Sequence, residues 1–401
     1  MRILWIKTEL LHPVDKGGKI RTYQMLRALV RNHHVTYLCL DDGTAGANAL
    51  AQSQEYAQDL ITVPFVPPAK GSYKYIVALL RNILSPLPYA IARYQSVSLQ
   101  VQVAKLAPTV ELVVCDFLTP AVNIDQSLQS QAVLFQHNVE AMIWGRRAQV
   151  PQSWLRRAYM RLQAQRMTKF ETAMCRGFRH VVAVSADDAE VFRRDYAVGS
   201  VSHVATGVDL EYFAPAPGVR RNAMELVFVG SMDWMPNDEG IRWFIGEVLG
   251  LVRKRIADVR LTIVGRSPTT ALRASIAGQP NVEITGTVDD VRPYLARAAL
   301  SVVPLRIGGG TRLKIYEAMA MGVPIVSTHI GAEGLPVQDG EHLLLVDSPE
   351  AQSAAIIKLL QQPGEAARIA DNARNFVQLN CSWDAVAAQF VANCSATRLA
   401  M

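Results

Sequence analysis

The most constraining feature of this chain is a rhythm of short apolar runs separated by helix-length stretches of mixed polarity. Six fall in the first half: RILWI (2–6), VTYLCL (35–40), LITVPF (60–65), ELVVC (111–115), AVLFQ (132–136) and VVAV (181–184). Six more follow: LVFVG (226–230), LTIVG (261–265), VEITG (282–286), LSVVPL (300–305), PIVST (324–328) and LLLV (343–346). Strands that are apolar on successive residues are buried on both faces, and their alternation with helices implies parallel sheets. Two such series fit two doubly wound, Rossmann-like α/β domains better than one very wide sheet. The rhythm is weakest over 207–222, where APAPG (214–218) and two arginines interrupt it. The expected division is a first domain over 1–206, a linker over 207–222, a second domain over 223–380, and a C-terminal helix over 381–401 returning to the first domain.

Composition narrows the class. Half of the 401 residues are hydrophobic, which excludes disorder as a description of the chain. No stretch approaches the ~18 unbroken apolar residues of a membrane span. The opening MRILWIKTELLHP meets charge and proline too soon for a signal peptide. Cys39, Cys115, Cys175, Cys381 and Cys394 are scattered, without a C-x-x-C pair, and read as reduced core thiols of a cytoplasmic protein.

Ligands of open parallel sheets bind at the carboxyl ends of the strands. The strongest local signal lies there, in PLRIGGGTRLKIYEAMAMGVPIVST (304–328). Gly308, Gly309 and Gly310 remove side chains where the backbone turns, leaving amides free to approach a ligand, and Thr311 is expected to cap the following helix. A helix N-terminus favours an anion. Arg312 and Lys314 add two cations where the macrodipole disfavours them, which points to an anionic ligand such as a diphosphate. Glu317 follows close enough to accept both hydroxyls of a ribose. The competing explanation is an ordinary tight turn with a solvated Lys314–Glu317 pair.

This stretch resembles the donor-binding signature of glycosyltransferase family 4, retaining enzymes of GT-B fold. FVGSMDWMPNDEGIRWF (228–244), LTIVGRSP (261–268) and VEITGTVDDVRPYL (282–295) agree, as do DKGGKIRTYQML (15–26), HNVE (137–140) and VVAVSADDAEVF (181–192). The resemblance implies two Rossmann-like domains facing a central cleft. Glu317 matches the last glutamate of the family's Glu–seven residues–Glu motif and would hold the donor ribose. The first glutamate falls at Gly309. SMDW after Gly230 replaces an arginine, and a lysine a few residues on, that many members use on the diphosphate; Arg312 and Lys314 are placed to supply that charge. Gly265 and Arg266 are expected to line the nucleotide pocket, Thr287 and Val288 to edge the nucleobase, and Gly17 and Gly18 to approach the phosphates. His137, at the carboxyl end of AVLFQ, is expected to be catalytic with Arg312 and Lys314, and Asp116 is a weaker candidate on the acceptor side. His33 and His34 read as structural.

No metal-ligand pattern is visible: there is no D-x-D motif in context, no His pair at i, i+4, and no cysteine cluster. Neither metal nor cofactor is expected beyond the nucleotide-sugar donor. Between Gly145 and His180 nine basic residues face one acid, Glu171, while the whole chain carries +6. With the amphipathic segment YKYIVALLRNIL (73–84), this window suggests peripheral contact with an anionic membrane at its inner face, rather than nucleic-acid binding. The expected function is transfer of a sugar from a nucleotide-diphosphate sugar to a glycan or lipid-linked glycan, in polysaccharide biosynthesis. Its alternatives are a catalytically silent sugar-nucleotide-binding scaffold and a sugar-nucleotide epimerase of related fold.

Overall fold

The computed structural model describes every residue except 15, 16, 47, 70, 150–153, 216, 217, 308–311, 400 and 401, with no side chains described at 146, 147, 149 and 397–399. The chain divides into two compact units, residues 1–205 with 386–401, and residues 206–385.

The first unit is built on β1 (Arg2–Lys7), β2 (His34–Asp41), β3 (Asp59–Pro64), β4 (Leu112–Asp116), β5 (Val133–Phe135), β6 (His180–Ala183) and β7 (Val201–His203). They lie in the order β3-β2-β1-β4-β5-β6-β7, and every neighbouring pair is parallel. The second unit carries β8 (Asn222–Val229), β9 (Arg260–Val264), β10 (Val282–Gly286), β11 (Ala298–Val303), β12 (Ile325–Ser327) and β13 (Leu344–Leu345). Their order is β10-β9-β8-β11-β12-β13, again all parallel. Runs such as Ile3–Ile6 and Leu226–Phe228 are fully buried because helices cover both sheet faces. All five cysteines are buried, and none is in a disulfide.

The sequence rhythm missed β7. Its three residues, Val-Ser-His, are partly exposed at the sheet edge and carry no apolar run. Three helices end the chain, Pro349–Gln361, Pro363–Asn380 and Trp383–Leu399. In the last, Phe390 is fully buried against Trp5 and Phe135, with ring centroids 5.6 and 5.2 Å away.

Both sheets reverse their strand order once, at β1/β4 and at β8/β11. Connections there leave toward opposite sides and open a crevice at the carboxyl ends of the strands, the usual place for a ligand in such folds. Lys7 and Asp116 meet at the first of these points, Gly230 and Lys314 at the second.

Candidate functional site

In the second unit, β8 ends at Val229 and the chain turns at Gly230, beside Gly265 at the end of β9. A methyl group on Gly265 would lie 1.7 Å from the Gly230 carbonyl oxygen, so only glycine lets these two turns meet. Arg266 joins the same turn, donating from Nε to Ser231 Oγ at 2.8 Å. The helix Leu313–Ala320 follows β11, and its Lys314 returns to the β8 turn. Lys314 Nζ donates to Asn237 Oδ1 at 2.6 Å and lies 4.6 Å from the centre of the Phe228 ring. It would be 2.8 Å from a methyl group on Gly230. The lysine cation therefore stands against the glycine turn itself.

Burial lowers the Lys314 ammonium to about 7, with Glu317 pulling it up and Arg312 pressing it down. Burial likewise raises Glu317 to about 7, opposed by Lys314. The two groups share one half-buried environment a helical turn apart. Neither is held at its ordinary ionisation, which is a property common at sites that meet charged ligands.

Arg312 takes a different place from the one its spacing suggested. It is 2% exposed, donates from Nη2 to the Ile330 carbonyl at 2.9 Å, and lies 3.8 Å from Glu333. Its guanidinium fixes the turn after β12. Arg312 also occupies the N-cap position expected for Thr311, with a non-helical backbone and no side-chain cap. Gly308, Gly309, Gly310 and Thr311 lie outside the described residues. Thr287 is exposed and Val288 half-buried just beyond β10, two strands away from β8.

In the first unit, β1, β4 and β5 place Lys7, Asp116 and His137 at adjacent carboxyl ends. Asp116 is fully buried; its Oδ2 accepts from Lys7 Nζ at 2.9 Å, Trp5 Nε1 at 2.9 Å and Thr22 Oγ1 at 2.6 Å. Its Oδ1 lies 2.7 Å from His137 Nε2, at an angle poor for a hydrogen bond. Burial would raise Asp116, but Lys7 and His137 outweigh it and hold its carboxyl well below the usual range. His137, 3% exposed, is lowered by burial to about 4 despite Asp116, so its imidazole is neutral at pH 7. Phe117 covers the cluster: its ring centroid is 4.2 Å from that of His137 and 4.7 Å from Lys7 Nζ. The backbone of Phe117 has φ of 76°, a strained conformation for so bulky a residue. Gly18 makes room for that ring, since its missing Cβ would lie 3.1 Å from Phe117 Cε2; Gly17, which opens the helix Gly17–Leu29, is unobstructed.

Lys7, Thr22 and Asn237 were not among the residues picked from the sequence. Lys7 had a readable signal, as a lysine ending an otherwise apolar buried strand. Asn237 had none, since its role depends on a lysine 77 residues away.

The basic window is less free than its charge count suggests. Arg166 donates to the carbonyls of Asn82 and Ile83, capping the helix Tyr73–Asn82, while Arg176 and Arg179 bind the carbonyls of Tyr196 and Cys394. Arg156, Arg157 and Arg161 are exposed, as are Trp154 and Leu155 beside them. On the neighbouring helix and its exit, Ile76, Leu80, Ile83 and Leu84 are exposed, whereas Leu79 is only partly so. Among the described residues no helix is long and apolar enough to cross a membrane, and no group of three or more His, Cys, Asp or Glu is placed to hold a metal.

Residues 223–362 match the family model described as glycosyl transferases group 1, a span that lies wholly within the second unit. The second unit is thus similar to group 1 glycosyl transferases over most of its length. Among similar curated proteins, the MMP alpha-(1->4)-mannosyltransferase of Mycolicibacterium hassiacum is 31% identical over 235 residues, 56% of either chain. A GDP-mannose-dependent alpha-(1-6)-phosphatidylinositol monomannoside mannosyltransferase of Mycolicibacterium smegmatis is 28% identical over 204 residues, 46% of this chain and 53% of that one. The chain spans about half the length of the curated relatives it matches. Among solved structures, sucrose-phosphate synthase from Thermosynechococcus elongatus aligns over 100% of both chains, with TM-score 0.68 and 20% identity. HepE from Anabaena, solved in complex with UDP, aligns over 99% of this chain and 100% of its own, with TM-score 0.65 and 15% identity. The chain thus has the GT-B type of fold, with two Rossmann-like sheets in one chain.

Proposed function

We propose that the protein transfers a sugar from a nucleotide-diphosphate sugar to a glycan or lipid-linked glycan. The observation that carries this reading is Lys314, a partly desolvated cation pressed against the Gly230 turn at the strand-order reversal of a unit similar to group 1 glycosyl transferases. A diphosphate seated there meets the ammonium directly, and the lysine compensates for the cations absent from SMDW. Charge grows on the diphosphate as the sugar–phosphate bond breaks, so a cation held at that point stabilises the transition state more than the ground state. Glu317 accepts the ribose hydroxyls. Arg312 acts by holding the Ile330–Glu333 turn rather than by touching phosphate. The names of the relatives support this donor class, since one depends on GDP-mannose and one neighbour was solved with UDP.

The first unit holds the acceptor side, where neutral His137 stands buried beneath Phe117 at the carboxyl end of β5, with Nε2 2.7 Å from Asp116. Transfer proceeds with retention of anomeric configuration and needs no metal. The exposed apolar residues of the Tyr73–Asn82 helix, with Arg156, Arg157 and Arg161, rest on an anionic membrane and bring a lipid-linked acceptor within reach.

A thermal-shift screen of nucleotide sugars tests the donor reading, because a ligand bound only by the native state raises its melting temperature. Stabilisation by one nucleoside-diphosphate sugar, lost in Lys314→Met, supports it; no stabilisation across the panel overturns it. Anomeric configuration of the first product, read by NMR, tests retention.

A further inference from the structure

Glu171 is the single acid of the basic window, and it is fully buried in the helix Trp154–Gly177. Its Oε1 accepts from Gln136 Nε2 at 3.2 Å and from the Glu140 backbone N–H at 2.9 Å. Its Oε2 accepts from the Ala141 backbone N–H at 2.8 Å and from the Tyr196 hydroxyl at 2.8 Å. Gln136 immediately precedes His137, and Glu140 and Ala141 open the helix that follows it. One carboxylate thus holds both flanks of the turn that carries His137, while Asp116 Oδ1 lies 2.7 Å from the ring's Nε2.

We propose that Glu171 is a positioning residue for His137, fixing the backbone of the 136–141 turn so that the imidazole stands at the carboxyl end of β5. This inference rests on the proposed transferase reading, but its geometry does not. A buried carboxylate costs several kcal/mol to desolvate and persists only where its oxygens are well satisfied. An apolar residue would fill the same space in a helix serving only as packing. What the carboxylate adds is direction: two backbone amides at a helix N-terminus are caught by a side chain 30 or 31 residues later. The turn therefore cannot pivot without breaking charge-assisted bonds. Burial raises Glu171 to about 7 against the pull of those amides and Tyr196.

The test is a double-mutant cycle on the full chain. Glu171→Gln presents an amide N–H to groups that are themselves donors, and a turn shifted by about 1 Å can cost ~100-fold in rate. Glu171→Gln is expected to lower kcat by about 10- to 100-fold while the donor KM stays within about 2-fold. In a His137→Ala background the same substitution should change kcat by less than about 2-fold, because the group it positions is gone. Equal losses in both backgrounds would overturn the proposal and leave Glu171 as fold stabilisation only. Should Glu171→Gln not fold, Tyr196→Phe removes one contact and spares both amide bonds; it should give a smaller kcat loss that also vanishes with His137→Ala. A measurement independent of turnover is the NMR signal of the His137 imidazole, which must shift in Glu171→Gln or Tyr196→Phe; an unmoved signal overturns the proposal. If wild type turns over no nucleotide sugar, the transferase reading fails, and the NMR arm still decides the role of Glu171.

Discussion

A lysine pressed against a glycine turn, an asparagine and a phenyl ring has little water left around it. That is why the Lys314 ammonium is lowered to about 7, with burial the larger cause and Glu317 opposing it. A diphosphate arriving beside it reverses the balance, so above pH 7 binding must draw a proton from solution. Calorimetry of nucleoside-diphosphate binding at pH 8, repeated in buffers of different ionisation enthalpy, should show proton uptake in wild type and none in Lys314→Met. Affinity should accordingly fall as pH rises from 7 to 9. Loss of the single charge-assisted contact in Lys314→Met should weaken binding by roughly 10- to 100-fold. Gly230→Ala probes the same point from the other side. Its new methyl group would lie 2.8 Å from Lys314 Nζ and 2.7 Å from Asn237 Nδ2, both movable side-chain ends. The fold should survive, with affinity about 10-fold weaker.

Elements explain what individual residues leave open. The helix Met235–Trp243 packs so closely on the chain leaving β11 that a methyl group on Gly240 would sit 2.6 Å from the Pro304 carbonyl oxygen. Backbone cannot yield as a side chain tip can, so Gly240→Ala should destabilise by ~1–3 kcal/mol, read as a lower chemical-denaturation midpoint. On the outer surface, the helix Tyr73–Asn82 has its C-terminal carbonyls capped by Arg166, while Arg156, Arg157 and Arg161 on the neighbouring helix are exposed, as are Lys74 and Arg81. Flotation with anionic vesicles should weaken with salt and in Leu80→Ser or Arg156→Gln; salt-insensitive absence of binding contradicts the membrane reading. Elements were also the scale at which the sequence was most legible. Successive apolar residues in Ile3–Ile6 or Leu226–Phe228, recurring between helix-length segments, read as parallel strands buried on both faces, and twelve of the thirteen strands among the described residues fall on the apolar runs of the sequence. Val201–His203 did not, because an edge strand half in water needs no apolar run.

For the whole molecule, the order of the strands does what no single motif could. Reversal at β1/β4 gathers Lys7 and Asp116, 109 residues apart, and reversal at β8/β11 gathers Asn237 and Lys314. Such pairs leave no trace in local spacing. Arg312 and Lys314, equal in the sequence, part company once folded: one anchors the turn after β12 and one stands against Gly230. The basic window was legible as charge but not as structure, since Arg166, Arg176 and Arg179 bind backbone carbonyls and Glu171 is buried. The terminal helix closes the first unit through Phe390. Truncation of that ring in Phe390→Ala should cost ~3–5 kcal/mol and appear as an earlier first transition on heating.

The most direct measurement is release of nucleoside diphosphate from a panel of nucleotide sugars, with acceptor extract present, by wild type, Lys314→Met and His137→Ala. Release from one donor by wild type, lost in Lys314→Met and strongly reduced in His137→Ala, is the predicted result. Release unaffected by both substitutions, or tight donor binding without release from any sugar, would contradict a transferase built on these two strand-order reversals.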